Sequence, residues 1–158
     1  MIFSITALFG LVLAFVFVRE AWFGYPPTSH KTRMLSRKET AILEASADTL
    51  FPVGGSLPSA AEAGVVEYVD RFMRDLPSRH RILVRLLFVF IEHGSMIFGP
   101  VHRRLTRQDL VERIMTFKSW EYSNLYFRRL SFLSLRTMLT FAYFGDARVL
   151  SELQSARP

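Results

Sequence analysis

Hydrophobic residues are arranged along this chain in two ways. From Ile2 to Val18 they form one run, interrupted only by Ser4 and Thr6, and no charged side chain precedes Arg19. From Ser36 onward they recur at helical spacing between capping signals. The run of 17 residues, as a helix, rises about 26 Å, close to the ~30 Å hydrocarbon core of a bilayer. Ile2, Phe3, Leu8, Phe9, Leu11, Phe15 and Phe17 would face lipid, with Trp22 and Tyr25 at headgroup level. Pro26 and Pro27 then stop the helix. A cleaved signal peptide would carry a basic start and a small-x-small cleavage site. Neither is present, so residues 1–23 read as a retained single-pass anchor.

Residues 24–35 (GYPPTSHKTRML) read as a linker, and residues 36–158 as an all-α domain. Ser36-x-x-Glu39 is a capping box that opens a helix ending at Phe51-Pro52. Ser59-x-x-Glu62 is expected to open a second, with Val65, Val66, Val69, Phe72 and Met73 on one face and Pro77 at its end. Ser78 is expected to cap a third helix, Arg79 to Phe98. Thr106-x-x-Asp109 would open a fourth, Gln108 to Phe117, and Ser119 would cap the last long one, Trp120 to Phe144, closed by Gly145. A short turn, Asp146 to Leu153, follows. No stretch alternates with period 2, so the fold class is all-α: one N-terminal transmembrane helix, then a bundle of five or six helices.

Two further stretches, Ile82–Phe98 and Leu125–Phe144, are nearly apolar enough to span a membrane. They are broken by Arg85, Glu92 and His93, and by Arg128, Arg129 and Arg136. Each such charge costs roughly 2.5–3.5 kcal/mol at a bilayer centre. Both therefore read as central bundle helices, with apolar surface beyond what the domain can bury by itself. A surplus of that kind marks a partner or membrane surface.

Charge sharpens this picture. The net +6 arises from 20 basic and 14 acidic residues, and all lie beyond residue 18. Only Lys31, Lys38 and Lys118 are Lys; the other basic residues are Arg. Arg19, Lys31, Arg33, Arg37 and Lys38 follow the apolar run, and the positive-inside rule then puts the soluble domain in the cytoplasm, on the inner membrane. Arg79, Arg81, Arg85, Arg103, Arg104, Arg107 and Arg113 are dense enough to suggest nucleic acid. No helix-turn-helix or aromatic RNA platform accompanies them, so anionic lipid headgroups are the expected counter-charge and no nucleic-acid partner is expected.

Candidate chemistry is sparse. With no Cys, thiolate metal sites, disulfides and Cys-held iron–sulfur clusters are excluded. Phosphate-cradling glycine loops, H-E-x-x-H and the G-x-S-x-G elbow are absent. His30 is expected in solvent, His80 on the surface, and His93 with His102 lacks a spacing that would define a metal site. Phe127-Arg128-Arg129-Leu130-Ser131 resembles a twin-arginine signal but lies far from the N-terminus, where such a signal must be. No catalytic, cofactor-binding or metal-ligating residue is expected.

Leu35–Pro52, LSRKETAILEASADTLFP, resembles the opening helix of the gluconate 2-dehydrogenase subunit 3 family, with Ala47-Asp48-Thr49-Leu50-Phe51-Pro52 matching its closing motif. Pro58-Ser59-Ala60-Ala61-Glu62-Ala63-Gly64-Val65 with Tyr68-Val69-Asp70 resembles the segment that follows. Phe127-x-x-Leu130, Arg136 and Tyr143-Phe144-Gly145-Asp146 resemble the closing helix and turn. The resemblance implies a small non-catalytic accessory subunit of a glucose–methanol–choline flavoprotein dehydrogenase. FAD would then reside in the large subunit, and a cytochrome or quinone-linked acceptor would take the electrons. It marks Asp48, Pro52, Glu62, Gly64, Asp70, Arg136 and Asp146 as motif residues or partner contacts. Two departures stand out: an anchor replaces the export signal, and Pro58-Ser59-Ala60 replaces Pro-Gly-Ala. Asp48 is expected to bond the Gly54-Gly55 loop, and Gly64 to sit inside a helix at a close packing contact. A structural subunit of another membrane electron-transfer complex stays open as a second reading.

Overall fold

The structure, a computed structural model, describes residues 24–55 and 57–155. The anchor expected over 1–23 lies outside the described residues, and so do Ile2, Phe3, Leu8, Phe9, Leu11, Phe15, Phe17 and Trp22. Among the described residues there are six α-helices and no strand. They are α1 (Arg37–Leu50), α2 (Val65–Asp75), α3 (Ser78–Phe98), α4 (Leu110–Glu121), α5 (Tyr126–Phe144) and α6 (Ala147–Ser155), with a 3-10 turn at Leu105–Arg107. None of these helices is long and apolar enough to cross a membrane. The charges that interrupt the apolar runs of α3 and α5 are the reason.

The capping chemistry holds in places and shifts in others. Ser36 and Glu39 form the expected box: Ser36 N donates to Glu39 Oε2 (2.7 Å) and Glu39 N to Ser36 Oγ (3.3 Å). Ser59 and Glu62 make the same pair of bonds, at 2.7 and 3.3 Å, but cap only a turn. Gly64 then adopts φ +63°, and α2 starts after it. Gly64 is thus the N-cap, not a helix-interior residue, because the chain must reverse through the left-handed region, where Gly carries no Cβ penalty.

Ser78 lies inside α3, and its hydroxyl accepts from Arg81 Nη2 (3.2 Å) instead of capping. Thr106 belongs to the 3-10 turn; the box that opens α4 is Asp109 with Glu112. Ser119 sits inside α4, where its hydroxyl donates to Thr116 O (2.8 Å). The expected long helix from Trp120 is therefore two. The break falls at residues 122–125, where Ser123 Oγ accepts from Leu125 N (3.2 Å). The C-terminal turn is a full helix, α6.

The core is built from the apolar stripes of α1, α2, α3, α4 and α5. Leu43, Val65, Val69, Met73, Phe88, Leu135 and Leu139 are all fully buried. α3 and α4 meet closely at Gly94, where a Cβ would come within 2.8 Å of the Trp120 ring. Trp120 is 1% exposed and cannot move aside. Gly94→Ala is therefore expected to destabilise the fold by about 1–3 kcal/mol, despite the better helix propensity of Ala. A denaturant midpoint unchanged or raised in the variant would contradict this packing.

Candidate functional site

The expected linker is bound along its length. Glu44 Oε1 accepts from the amides of Ser29 (3.0 Å) and His30 (3.3 Å), and contacts His30 Nδ1 at 2.7 Å. The His30 side chain is 16% exposed, so it is held by the bundle and not left in solvent. Asp70 accepts from the amides of Arg33 (3.1 Å), Met34 (2.8 Å) and Leu35 (2.9 Å). Burial pushes the Asp70 carboxyl up, but those amide bonds outweigh it and hold it below the ordinary value. Asp70→Ala is expected to cost about 2 kcal/mol and to speed hydrogen exchange at residues 33–35. The contribution of Asp70 is present above the ordinary carboxylate range and is lost as pH falls through its lowered value. Equal exchange rates in the two proteins would contradict this role.

The strap of residues 24–35 begins at a cationic point. The Tyr25 ring is half-buried, with Arg104 5.0 Å and Lys38 5.6 Å from its centroid. Beneath it is the most deeply buried charge cluster of the described residues. Glu92 is 0% exposed; its carboxylate accepts from Thr106 Oγ1 (2.6 Å) and Thr106 N (3.0 Å), and lies 4.0 Å from Arg104 Nε. Burial pushes the Glu92 carboxyl above its ordinary value, against the Thr106 bonds and the Arg104 charge. From the sequence, Glu92 was legible only as an interruption of an apolar run.

The other motif residues divide by place. Glu62, Pro58, Tyr143 and Asp146 meet at one end of the bundle. Tyr143 Oη donates to Pro58 O (2.5 Å), Tyr143 stacks on Phe51 at 3.9 Å, and Arg148 links Asp146 to the Glu62 carbonyl. Pro52 follows Phe51 at this end and is exposed. Asp48 is on the surface near Arg113, Glu44 and His30. Among the described residues it makes no hydrogen bond to Gly54 or Gly55; its charged neighbours lie on α1, α4 and the strap instead. Arg136 pairs with Glu121 (2.8 Å) on the rim of an open pocket of about 390 Å³ between α1, α4 and α5.

Of the arginines that suggested nucleic acid, Arg104 is buried and several others are engaged by neighbouring elements, Arg85 and Arg103 from exposed positions. Arg85 reaches Glu39 (3.4 Å), Arg103 reaches Glu112 (3.3 Å), and Arg113 donates to Ala45 O (2.7 Å). No group of three or more His or carboxylate side chains could hold a metal ion among the described residues.

The largest uncovered feature is apolar. Outward from the core, α3 presents Ile82, Leu83, Leu86 and Val89, each more than half exposed. α5 presents Leu130, Leu133 and Phe141 beside them, at 46%, 59% and 67% exposure. Between the two helices runs a groove with two open hollows of about 490 and 520 Å³ that share Val84, Leu87 and Ser134. Tyr68 and Phe72 of α2 close one end. At the other, Phe90, Phe98 and Phe127 pack edge to tilted around Trp120 and Arg128. Sequence reasoning found the apolar surplus of these helices but not the groove. The small floor residues Ser131, Ser134 and Thr137 become meaningful only once α3 lies against α5. Such a surface offers no nucleophile or acid–base pair; what it can do is bind another apolar surface. No family model, curated protein or solved structure matches the chain.

Proposed function

We propose that this chain is a non-catalytic, membrane-anchored accessory subunit that binds, stabilises and tethers an FAD-dependent dehydrogenase of the glucose–methanol–choline type. The groove between α3 and α5 carries the reading. A monomeric domain rarely leaves so many contiguous Leu, Val and Phe side chains in water, and the aromatic- and Arg-rich, Lys-poor make-up of the two walls is that of an interface. The membrane part rests on the apolar N-terminal sequence and on Lys31, Arg33 and Arg37, exposed after it, as counter-charges for anionic headgroups. FAD and the reacting groups belong to the partner, and its electrons would pass to a cytochrome or quinone-linked acceptor. The test is purification of the full chain from its native membranes in mild detergent. A flavoprotein with a flavin absorbance spectrum is expected to co-elute in constant ratio. A chain that elutes alone, or with partners that hold no flavin, would overturn the proposal.

A further inference from the structure

Lys31 and Arg33 stand two apart in the strap, and Arg71 and Arg74 three apart on α2. A spacing of three puts Arg71 and Arg74 on one helix face. Asp70 brings the two pairs together, because it accepts the amides of Arg33, Met34 and Leu35 and so ties the strap to α2. All four cations are exposed, and all four line one open pocket of about 330 Å³.

The carboxylates of this pocket do not neutralise it. Asp70 is taken up by the three strap amides, and Glu67 lies 3.6 Å from His30 Nε2. Arg74 pairs with Asp75, outside the pocket, at 3.2 Å. Lys31 and Arg71 pair with no carboxylate among the described residues. Four cations against two carboxylates leave the lining at +2.

This lining suits a phosphate. Each guanidinium offers paired N–H donors that match phosphate oxygens, and Lys adds a point charge. The volume is that of a small-ligand site. Position narrows the source. Lys31 follows Gly24 by seven residues, which span at most about 25 Å, so the pocket stays close to the end of the apolar N-terminal segment.

We propose that the pocket between the strap and α2 binds the phosphate of an anionic phospholipid headgroup. This rests on the reading of residues 1–23 as a membrane anchor, which brings headgroups to the strap. A free phosphate shares the same chemistry, and the test separates the two sources.

The test uses the full chain, purified in a mild non-ionic detergent and stripped of lipid. Native mass spectrometry counts the lipid retained on titration with phosphatidylglycerol or phosphatidylcholine, and its displacement by inorganic phosphate. One phosphatidylglycerol per chain is expected to bind about tenfold more tightly than phosphatidylcholine, and inorganic phosphate to displace it only in large excess. Lys31→Ala/Arg71→Ala is expected to weaken retention about thirtyfold, at about fivefold for each cation. Arg79→Ala/Lys118→Ala removes the same charge from exposed positions outside the pocket and should leave retention unchanged. Both variants must match the wild type by circular dichroism; the lipid comparison in the wild type stands without them. Equal retention of the two lipids, or equal weakening by the two double variants, would overturn the site. Displacement by inorganic phosphate at concentrations equal to the lipid would overturn the lipid source. Extraction of the full chain from its native membranes by alkaline carbonate would instead overturn the anchor reading, and the headgroup proposal with it.

Discussion

Glu92→Ala is expected to destabilise the domain by about 3–5 kcal/mol, the largest single effect among its polar residues. Three losses combine. Thr106 loses both acceptors of its amide and hydroxyl, at 3.0 and 2.6 Å. Arg104, whose side chain is 7% exposed, loses the carboxylate nearest to it. The missing carboxylate also leaves a void at a position that is 0% exposed in a close-packed interior. Glu92→Gln keeps the volume and an acceptor, and should cost much less. The two variants also read the ionisation of Glu92. Its folded value is raised, so its contribution is fully present below the ordinary carboxylate value and lost as pH rises through the raised one. Wild-type stability relative to Glu92→Gln should therefore fall with rising pH across that window. Urea unfolding at several pH values measures both effects. A flat difference, or a loss under about 1 kcal/mol in Glu92→Ala, would contradict the buried cluster.

Phe141→Glu is expected to abolish retention of the flavoprotein while leaving the domain folded. Phe141 is 67% exposed, so the isolated fold gains little from it. In a filled groove the same position is covered, and a carboxylate there would be desolvated in a hollow that no cation of this chain lines. Loss of an aromatic interface contact alone costs about 2 kcal/mol or more, roughly thirtyfold in affinity, and the buried charge adds to it. Circular dichroism and the unfolding midpoint should match the wild type, and flavin co-elution should not. Full retention by a folded variant would remove Phe141 from the interface.

How far the sequence carried these conclusions depended on how local each signal was. Ser36 with Glu39 and the stops at Pro52 and Pro77 are local chemistry, and they appear in the structure as read. Thr106 and Ser119 had the right residue type for a cap, but neither is a helix N-cap: the Thr106 hydroxyl donates to the Glu92 carboxylate and the Ser119 hydroxyl to the Thr116 carbonyl. The glycine that allows close packing is Gly94, not Gly64. The two look alike in sequence; only the partner Trp120, 26 positions away, separates them. Asp70 had only the family resemblance to mark it, because its function is to hold amides 35–37 positions upstream. The apolar surplus of α3 and α5 was legible as an excess, since composition and periodicity are additive along the chain. The groove was not, because it arises from the spacing between two helices.

The central claim is that a flavoprotein covers the groove between α3 and α5. Hydroxyl-radical footprinting of the purified complex tests it most directly, by comparing side-chain oxidation with that of the chain stripped of its partner. Leu83, Leu130 and Leu133 are expected to lose most of their reactivity in the flavin-containing complex, while Val111 on the outer face of α4, 64% exposed, keeps its own. Unchanged oxidation at Leu83, Leu130 and Leu133 in a preparation that holds flavin would contradict it.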